Sequence, residues 1–375
     1  MKKLLALLLM LLMFITIGYA EEPSSTAGVE ELLTESGTEE VKEAIPPAAK
    51  ELLPNGGQNI TGTVDSIQPQ NLVQTVITTL RRYITAPLRM LVSLCGIMIL
   101  CAMLEIFHTT LNASGGRTIF QIVICVAVAS VIVTPVVECI TETASVLHDF
   151  SLFIATYIPI LAGVITAAGQ PLTGSAYNIF LFWICQTTAQ LISSYFVPML
   201  CGYLALAVIA VVCPSMQLGK LVGGIKTFVV WGLTLTLTVF VGLLSIQSVV
   251  ASGGDNVTVK AAKFMIGSLI PGVGSALSDL FMAAQGCIQL AKGTLGAFGV
   301  VVTLFTFLPI LVKVALWYLS LNIAALIGNI LGTTEVSGLM KNISATLGIL
   351  LAVLLYDALL VIISTTIIIV TFKAG

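Results

Sequence analysis

Four ionisable side chains lie within long apolar stretches of the chain, where a charge is costly and is a functional candidate by default. They are Asp357 in the last apolar segment, Lys313 in the stretch 294–331, Asp279 in the weaker segment 264–283, and Glu105 near the end of the segment 88–107. Asp357 and Lys313 form a candidate buried pair that holds helices together, and the alternative is that they belong to a water-filled path. We favour the pair, because the apolar segments contain too few further acids or histidines for a proton relay.

No pattern in the sequence supports nucleophilic or metal-assisted catalysis. The only histidines, His108 and His148, stand at the ends of predicted spans, and no two cysteines form a CxxC pair. The run GVGSAL at residues 272–277 has Leu277 where a dinucleotide-binding loop has its third glycine. We therefore expect no enzymatic activity, no cofactor and no metal, and we interpret the eight cysteines as small apolar side chains.

The clearest polar stripe in the uncharged region is formed by Gln186 and Gln190, which lie one helical turn apart. Glutamine side chains in membrane helices commonly hydrogen-bond to a neighbouring helix. We favour that interpretation, and the alternative is that the two amides line a conduit.

Prolines and glycines mark candidate helix breaks. The IPGVG run at 270–274 predicts a helix interrupted at membrane depth, either as a packing kink, which we favour, or as part of a transport path. The candidate breaks are Pro159, Pro198, Pro271, Gly272, Gly274 and Pro309.

Small residues at helical spacing predict close helix packing. Gly328 and Gly332 form a GxxxG pair, and Gly293, Gly296 and Gly299 recur at every third position on one helical face. Such faces let helices approach closely in lipid. We expect them to pack within the bundle or towards other subunits.

The elements that position these residues follow from composition. The chain has 375 residues, of which 57% are apolar and only 9% charged, and its mean hydropathy is +1.07. Soluble domains carry about 25% charged residues, so a soluble enzyme, a nucleic-acid-binding module and a disulfide-stabilised secreted domain are excluded. Residues 150–219 contain no Asp, Glu, Lys, Arg or His. We predict an all-α fold, a polytopic transmembrane helical bundle.

The beginning of the chain has a different character. Residues 1–20 have the pattern of a signal peptide, with an uncleaved signal anchor as the alternative. Residues 21–69 are predicted as an acidic, largely disordered extracytoplasmic tail, in which pieces near 29–33 and 48–53 become helical against a partner. Residues 70–86 predict an amphipathic helix on the membrane surface. Residues 87–375 predict seven to ten spans, with 118–137 and 150–168 counted separately.

A candidate internal repeat organises the membrane domain. Pro159 and Pro198 lie within similar apolar words, and their spacing is almost the same as that of Pro271 and Pro309. The pattern predicts two similar bundles over about 157–250 and 270–371, and chance matching of apolar words is the alternative. The long stretches 176–213 and 294–331 each contain one of these prolines, so each is expected to kink or to fold back as a hairpin.

Three runs of sequence resemble the stage III sporulation protein AE family. They are YIPIL at 157–161, FVPML at 196–200 and IGSLIPGVG at 266–274, of which the glycine-containing run is the most specific. The resemblance covers the chain from about residue 70 to its end, and the candidate signal peptide and acidic tail agree with it.

The resemblance implies a role that composition does not give. Members of this family are polytopic proteins of the mother-cell membrane in endospore-forming bacteria, within a multi-protein, secretion-like channel between mother cell and forespore. The implied partners are the other subunits of this sporulation channel complex, together with the lipid bilayer and a membrane-protein insertase during biogenesis. No nucleic acid is expected, and the family has no catalytic residues to carry over. The alternative is a stand-alone secondary transporter or channel for a small solute, which the scarcity of buried charge disfavours.

Overall fold

The described part of the chain is helical throughout. A computed structural model describes residues 37–65, 69–110, 117–191, 196–212, 218–269 and 274–370. Within these residues there is no strand, which confirms the all-α prediction. The helices are α1 Thr38–Glu43, α2 Pro47–Leu52, α3 Ile60–Asp65, α4 Pro69–Tyr83, α5 Thr85–Thr110, α6 Arg117–Ala167, α7 Pro171–Leu191, α8 Val197–Val212, α9 Leu218–Leu269, α10 Gly274–Ile330 and α11 Thr334–Val370, with a 3₁₀ turn at Pro54–Gly57.

Five of the described helices contain segments long and apolar enough to cross a membrane, which indicates a multi-pass membrane protein. The segments are Thr85–Met103, Ile122–Ala167, Thr227–Ala261, Gln285–Ile330 and Thr334–Ile367. Two of them are 46 residues long, about 69 Å as straight helices against a hydrocarbon core of roughly 30 Å. The sequence pattern divides the first of these into two spans, but α6 is continuous because its polar stretch 138–149 contains no helix-breaking residue.

The centre of the bundle is the antiparallel pair α10 and α11. Gly328 lies against Ser337 beside the turn that joins them, and Gly296 lies against Ile369 at the opposite end, so the two helices pack along their shared length. The most apolar segments of α10 and α11 are 72% and 67% buried, whereas the most apolar segment of α9 is 11% buried. The helices α10 and α11 therefore form the core, and α9 lies at the periphery.

The amphipathic helix predicted over 70–86 is α4, and it continues almost directly into α5. Backbone hydrogen bonds run through the junction, from the Ile84 N–H to the Leu80 carbonyl and from the Leu88 N–H to the Ile84 carbonyl. Leu72 shares a groove with Phe305, and the Ser320 hydroxyl donates to the Pro87 carbonyl. The number of residues from Leu72 to Pro87 equals the number from Phe305 to Ser320. The helices α4 and α5 therefore run beside α10 in the same direction. The position on the membrane surface that the sequence pattern indicates for this helix stays a prediction.

Residues 37–65 also differ from the expected disordered tail. They form α1, α2, the 3₁₀ turn and α3, and they bury the apolar side chains Val41, Ile45, Ala49, Leu53 and Ile60. These side chains cover apolar surface of α10 and α6, which the composition of the segment alone does not reveal. The piece predicted near 48–53 lies in and beside α2, and its partner is this chain's own α10. The predicted signal peptide and the piece near 29–33 lie outside the described residues.

An ion pair connects the N-terminal helices to α4. The Arg82 guanidinium of α4 donates a 2.6 Å hydrogen bond to the Glu51 carboxylate of α2. This bond and the Glu51 charge raise the pKa of Arg82 above its ordinary value. Both side chains are well exposed, so the ion pair contributes little to the free energy of folding. It holds α2 beside α4.

The candidate repeat halves have different helix boundaries. In the first half the chain forms α7 and α8, and Pro198 is the second residue of α8. In the second half Pro309 lies inside α10, which continues through it, as α6 continues through Pro135 and Pro159. Proline removes one backbone donor, and neighbouring helices that pack on both sides can hold such a helix together. Pro271 and Gly272 lie outside the described residues, and Gly274 is the first residue of α10.

Candidate functional site

The most developed polar site is a cluster of buried side chains where α6 turns into α7. Five side chains from this turn, α7, α9 and α10 meet there, each at least 94% buried. They are Gln170, Thr173, Asp255, Gln285 and Lys292, hereafter the polar cluster.

The turn itself is built on Gly169. Its φ of +80° is a left-handed conformation, which ends α6 as glycine commonly ends helices. The Gly169 N–H donates to the Thr166 carbonyl and the Gln170 N–H to the Ile165 carbonyl. Pro171 then begins α7 at a position that needs no N–H donor. A Cβ on residue 169 would lie 2.5 Å from the Gln285 amide nitrogen, so the turn packs directly on α10.

Asp255 of α9 caps the N-terminus of α7 from another helix. Its carboxylate accepts hydrogen bonds from the backbone N–H groups of Leu172 and Thr173, both at 3.0 Å, and from the Thr173 hydroxyl at 2.7 Å. These N–H groups have no partner within their own helix, and the positive end of a helix dipole favours a carboxylate. Asp255 is fully buried, and these three donors compensate its negative charge.

Two side chains of α10 complete the polar cluster. The Gln285 amide donates to the Ala168 carbonyl at 3.1 Å, and the Lys292 ammonium donates to the Gln170 side-chain oxygen at 2.9 Å. Lys292 also interacts electrostatically with Asp255. The direct hydrogen-bond partner of the Lys292 ammonium is thus the Gln170 side chain, and the opposite charge of Asp255 acts on it from within the same cluster.

The polar cluster joins helices to one another. All five side chains take part in hydrogen bonds between elements, including the bond from the Thr173 hydroxyl of α7 to the Asp255 carboxylate of α9. Asp255 lies towards the C-terminal end of α9, and Gln285 lies towards the N-terminal end of α10. The cluster therefore fixes the α6–α7 turn to both α9 and α10.

Lys313 has a different partner from the one suggested by the sequence. Its ammonium forms an ion pair with Glu142 of α6, and both side chains are partly buried. Glu142 lies in the stretch 138–149, which the sequence pattern places between spans. In the structure this stretch is helical and brings Glu142 towards α10.

Asp357 is not paired with Lys313. It lies on α11 next to Tyr356 and close to Cys185 of α7, and it makes no hydrogen bond or ion pair with the described residues. Asp279 lies in the first turns of α10, and its side chain is outside the described part of the structure.

Gln186 and Gln190 lie on the outward face of α7, both exposed. The opposite face packs into the bundle, where the Tyr177 hydroxyl lies 3.3 Å from the Thr365 hydroxyl of α11. The two glutamines are therefore on one face of one helix, but they point away from the rest of the described chain.

The predicted packing glycines serve different purposes. A Cβ at Gly296 would meet Ile369 at 2.6 Å, and one at Gly299 would overlap the Tyr157 ring, whereas Gly293 faces open space. Gly328 lies against Met98 and Ser337. Gly332 has a φ of +82° and forms the turn between α10 and α11, with no atom near the position of its missing Cβ.

Sequence reasoning missed the polar cluster and Glu142. The spacing Gly169-Gln170-Pro171 is a local signal for a helix end followed by a helix start. Asp255 and Lys292 stand at the margins of apolar segments, where they resemble ordinary flanking charges. Within the described residues, no group of three or more His, Cys, Asp or Glu side chains is placed to hold a metal ion.

Comparison with known proteins identifies the family of the chain. The chain is 22% identical over 309 residues to the stage III sporulation protein AE of Bacillus subtilis strain 168, covering 81% of this chain and 76% of that protein. No solved structure matches the chain. The family model described as stage III sporulation protein AE matches residues 57–371, from the 3₁₀ turn to the end of α11. This chain therefore belongs to the stage III sporulation protein AE family.

Proposed function

We propose that this chain is a non-enzymatic membrane subunit of a multi-protein channel between mother cell and forespore, required for endospore formation. The observation that carries the proposal is the family match over residues 57–371, which includes all helices from α3 to α11. Under this proposal the protein resides in the mother-cell membrane, with its N-terminal helices outside the cytoplasm. Its partners are the other channel subunits, the bilayer and an insertase, and it binds no nucleic acid.

The arrangement of buried charge supports a subunit rather than a transporter. Coupling sites of secondary transporters gather ionisable groups at the middle of the membrane. Here Asp255 joins α9 to α7 and Lys292 joins α10 to the α6–α7 turn through hydrogen bonds. The ion pair of Glu142 with Lys313 joins α6 to α10. Asp357 is the exception, because it has no partner among the described residues. A stand-alone transporter would have to depend on it.

The experiment is a deletion in the organism that encodes the chain, with a reporter of late forespore gene expression. We expect the reporter and the spore count to fall when the gene is deleted and to recover with wild-type protein. A gene copy carrying Gly293→Ala is the control for a substituted chain. It should restore the reporter and the spore count as wild-type protein does. Other sporulation membrane proteins should co-purify with a tagged chain. Normal sporulation after deletion would contradict the proposal, and solute uptake by the purified protein alone in vesicles would favour the transporter.

A further inference from the structure

The candidate span of α5 has the length of a bilayer, so its ends can be placed relative to the lipid. The segment Thr85–Met103 has 19 residues, about 28 Å as a helix against a hydrocarbon core of roughly 30 Å. The four other candidate segments in the described helices have 34 to 46 residues and can shift along the bilayer normal. When α5 crosses the bilayer, Thr85 therefore lies near one edge of the hydrocarbon core, where the lipid headgroups begin.

Two arginines flank this edge on the outward side of the helix. Arg81 lies about one turn before Thr85 and Arg89 about one turn after it, and both are exposed. Backbone hydrogen bonds through the α4–α5 junction continue the helical rotation, and three helical turns contain about 11 residues. Arg81 is therefore in line with Val92, and Arg89 with Leu100, which are 72% and 62% exposed. Both arginines thus lie on the side that α5 turns towards lipid.

Neither arginine has a partner within the described part of the chain. Arg81 and Arg89 form no hydrogen bond or ion pair with these residues. Arg82 differs, because it donates to the Glu51 carboxylate. Two positive charges are therefore left uncompensated at the headgroup level, where basic side chains are attracted to anionic lipids.

We propose that Arg81 and Arg89 bind the headgroup of an anionic phospholipid, with the lipid phosphate between the two guanidinium groups and the acyl chains along Val92 and Leu100. A guanidinium binds a phosphate through two parallel hydrogen bonds. The two Cα atoms are about 12 Å apart along the helix axis, which two long arginine side chains bridge when they converge on one phosphate.

The proposal specifies an anionic lipid for a chemical reason. A zwitterionic headgroup such as phosphatidylcholine carries its own cation beside the phosphate, so it gains less from two arginines than phosphatidylglycerol does. This proposal does not depend on the channel role.

The first test measures stabilisation by lipid. The thermal unfolding midpoint of the full chain in mild detergent is followed as phosphatidylglycerol or phosphatidylcholine is added. We expect phosphatidylglycerol to raise the midpoint of the wild type by a few degrees more than phosphatidylcholine does, because a ligand that binds the folded state stabilises it. Arg81→Gln/Arg89→Gln should lose this difference between the lipids.

The matched control is Lys42→Gln/Lys50→Gln, which removes the same charge from the N-terminal helices. It should keep the difference between the lipids. Because the result is a difference between two lipids, a change in the stability of the fold itself cancels. Equal effects of both lipids on the wild type, or the same loss in the control variant, would overturn the proposal.

The second test counts bound lipid. The full chain is released from micelles that contain equal amounts of the two lipids, and native mass spectrometry records the lipid retained. We expect the wild type to retain phosphatidylglycerol over phosphatidylcholine by roughly tenfold, and Arg81→Gln/Arg89→Gln to lose most of this preference. An excess of inorganic phosphate should leave the bound lipid in place. Displacement by phosphate would assign the arginines to a free anion, and an unchanged preference in the variant would also overturn the proposal.

Discussion

Tyr157 of α6 lies in a notch of α10 that exists because residue 299 is glycine. A Cβ there would overlap the ring, and the Tyr157 hydroxyl lies within hydrogen-bonding distance of the carbonyls of Leu295 at 3.3 Å and Gly296 at 3.5 Å. Phe153 stacks on the same ring with centroids 5.3 Å apart. This contact fixes the separation of the two longest apolar stretches in the described bundle.

The notch predicts that Gly299→Ala destabilises the protein. Overpacking a well-packed site costs about 1–3 kcal/mol, and Tyr157 is fully buried with no room to retreat. The measurement is the thermal unfolding midpoint of the purified chain in detergent. Gly293→Ala is the control, since no atom lies near the position of a Cβ there. Alanine is more favourable than glycine within a helix by about 1 kcal/mol. Equal midpoints for the two variants would show that the notch is not needed.

The α6–α7 turn predicts a second contrast between glycines. Gly169 and Gly332 have nearly the same φ, +80° and +82°, but only Gly169 has a neighbour, Gln285, at the position of a Cβ. Alanine at either position costs about 1–2 kcal/mol for the left-handed conformation. Gly169→Ala must also displace Gln285, so it should lower the unfolding midpoint more than Gly332→Ala. A larger effect at Gly332 would contradict the described turn.

Asp255 is expected to be the most sensitive residue of the polar cluster. Asp255→Asn removes the negative charge and introduces an amide donor that faces N–H groups of α7. Leaving a buried hydrogen-bonding group without its partner costs about 1–3 kcal/mol. The unfolding midpoints of Asp255→Asn, Lys292→Met and the double variant are compared. The double variant should be more stable than the sum of the single changes predicts, and strict additivity would argue against coupling of Asp255 with Lys292.

Lys313 should couple to Glu142 and not to Asp357. A double-mutant cycle with Lys313→Met and Glu142→Gln should give a coupling free energy on the order of 1 kcal/mol, because both side chains remain partly exposed. The parallel cycle of Lys313→Met with Asp357→Asn should give none. Coupling in the second cycle alone would restore the pair suggested by the sequence.

The fold class followed from composition, but the positions of several segments did not. Few charges and long apolar runs leave little choice other than helices in lipid. The composition of residues 37–65, considered alone, indicates disorder. In the structure these residues are ordered because their apolar side chains cover apolar surface of α10 and α6. Whether a segment is ordered can depend on a surface supplied from elsewhere in the chain.

Helix faces were the least predictable feature. A helix that is apolar on all sides has no amphipathic stripe, so periodicity does not tell which way Gln186 and Gln190 point. The polar cluster joins residues far apart in the chain, as in the bond from Lys292 to Gln170. Charged residues usually indicate the end of a span, so the sequence pattern predicts that Glu142 lies between spans. In the structure α6 continues through this charged stretch, which contains no helix-breaking residue.

The length of α6 and α10 has a geometric consequence. Membrane helices tilt by up to about 40°, and at that angle a 46-residue stretch still rises about 53 Å. Lipid tails cover only roughly 30 Å of this height, so the remaining apolar surface of each long helix has to be covered by protein. The short N-terminal helices α2 and α3 pack against α10 and cover part of its surface.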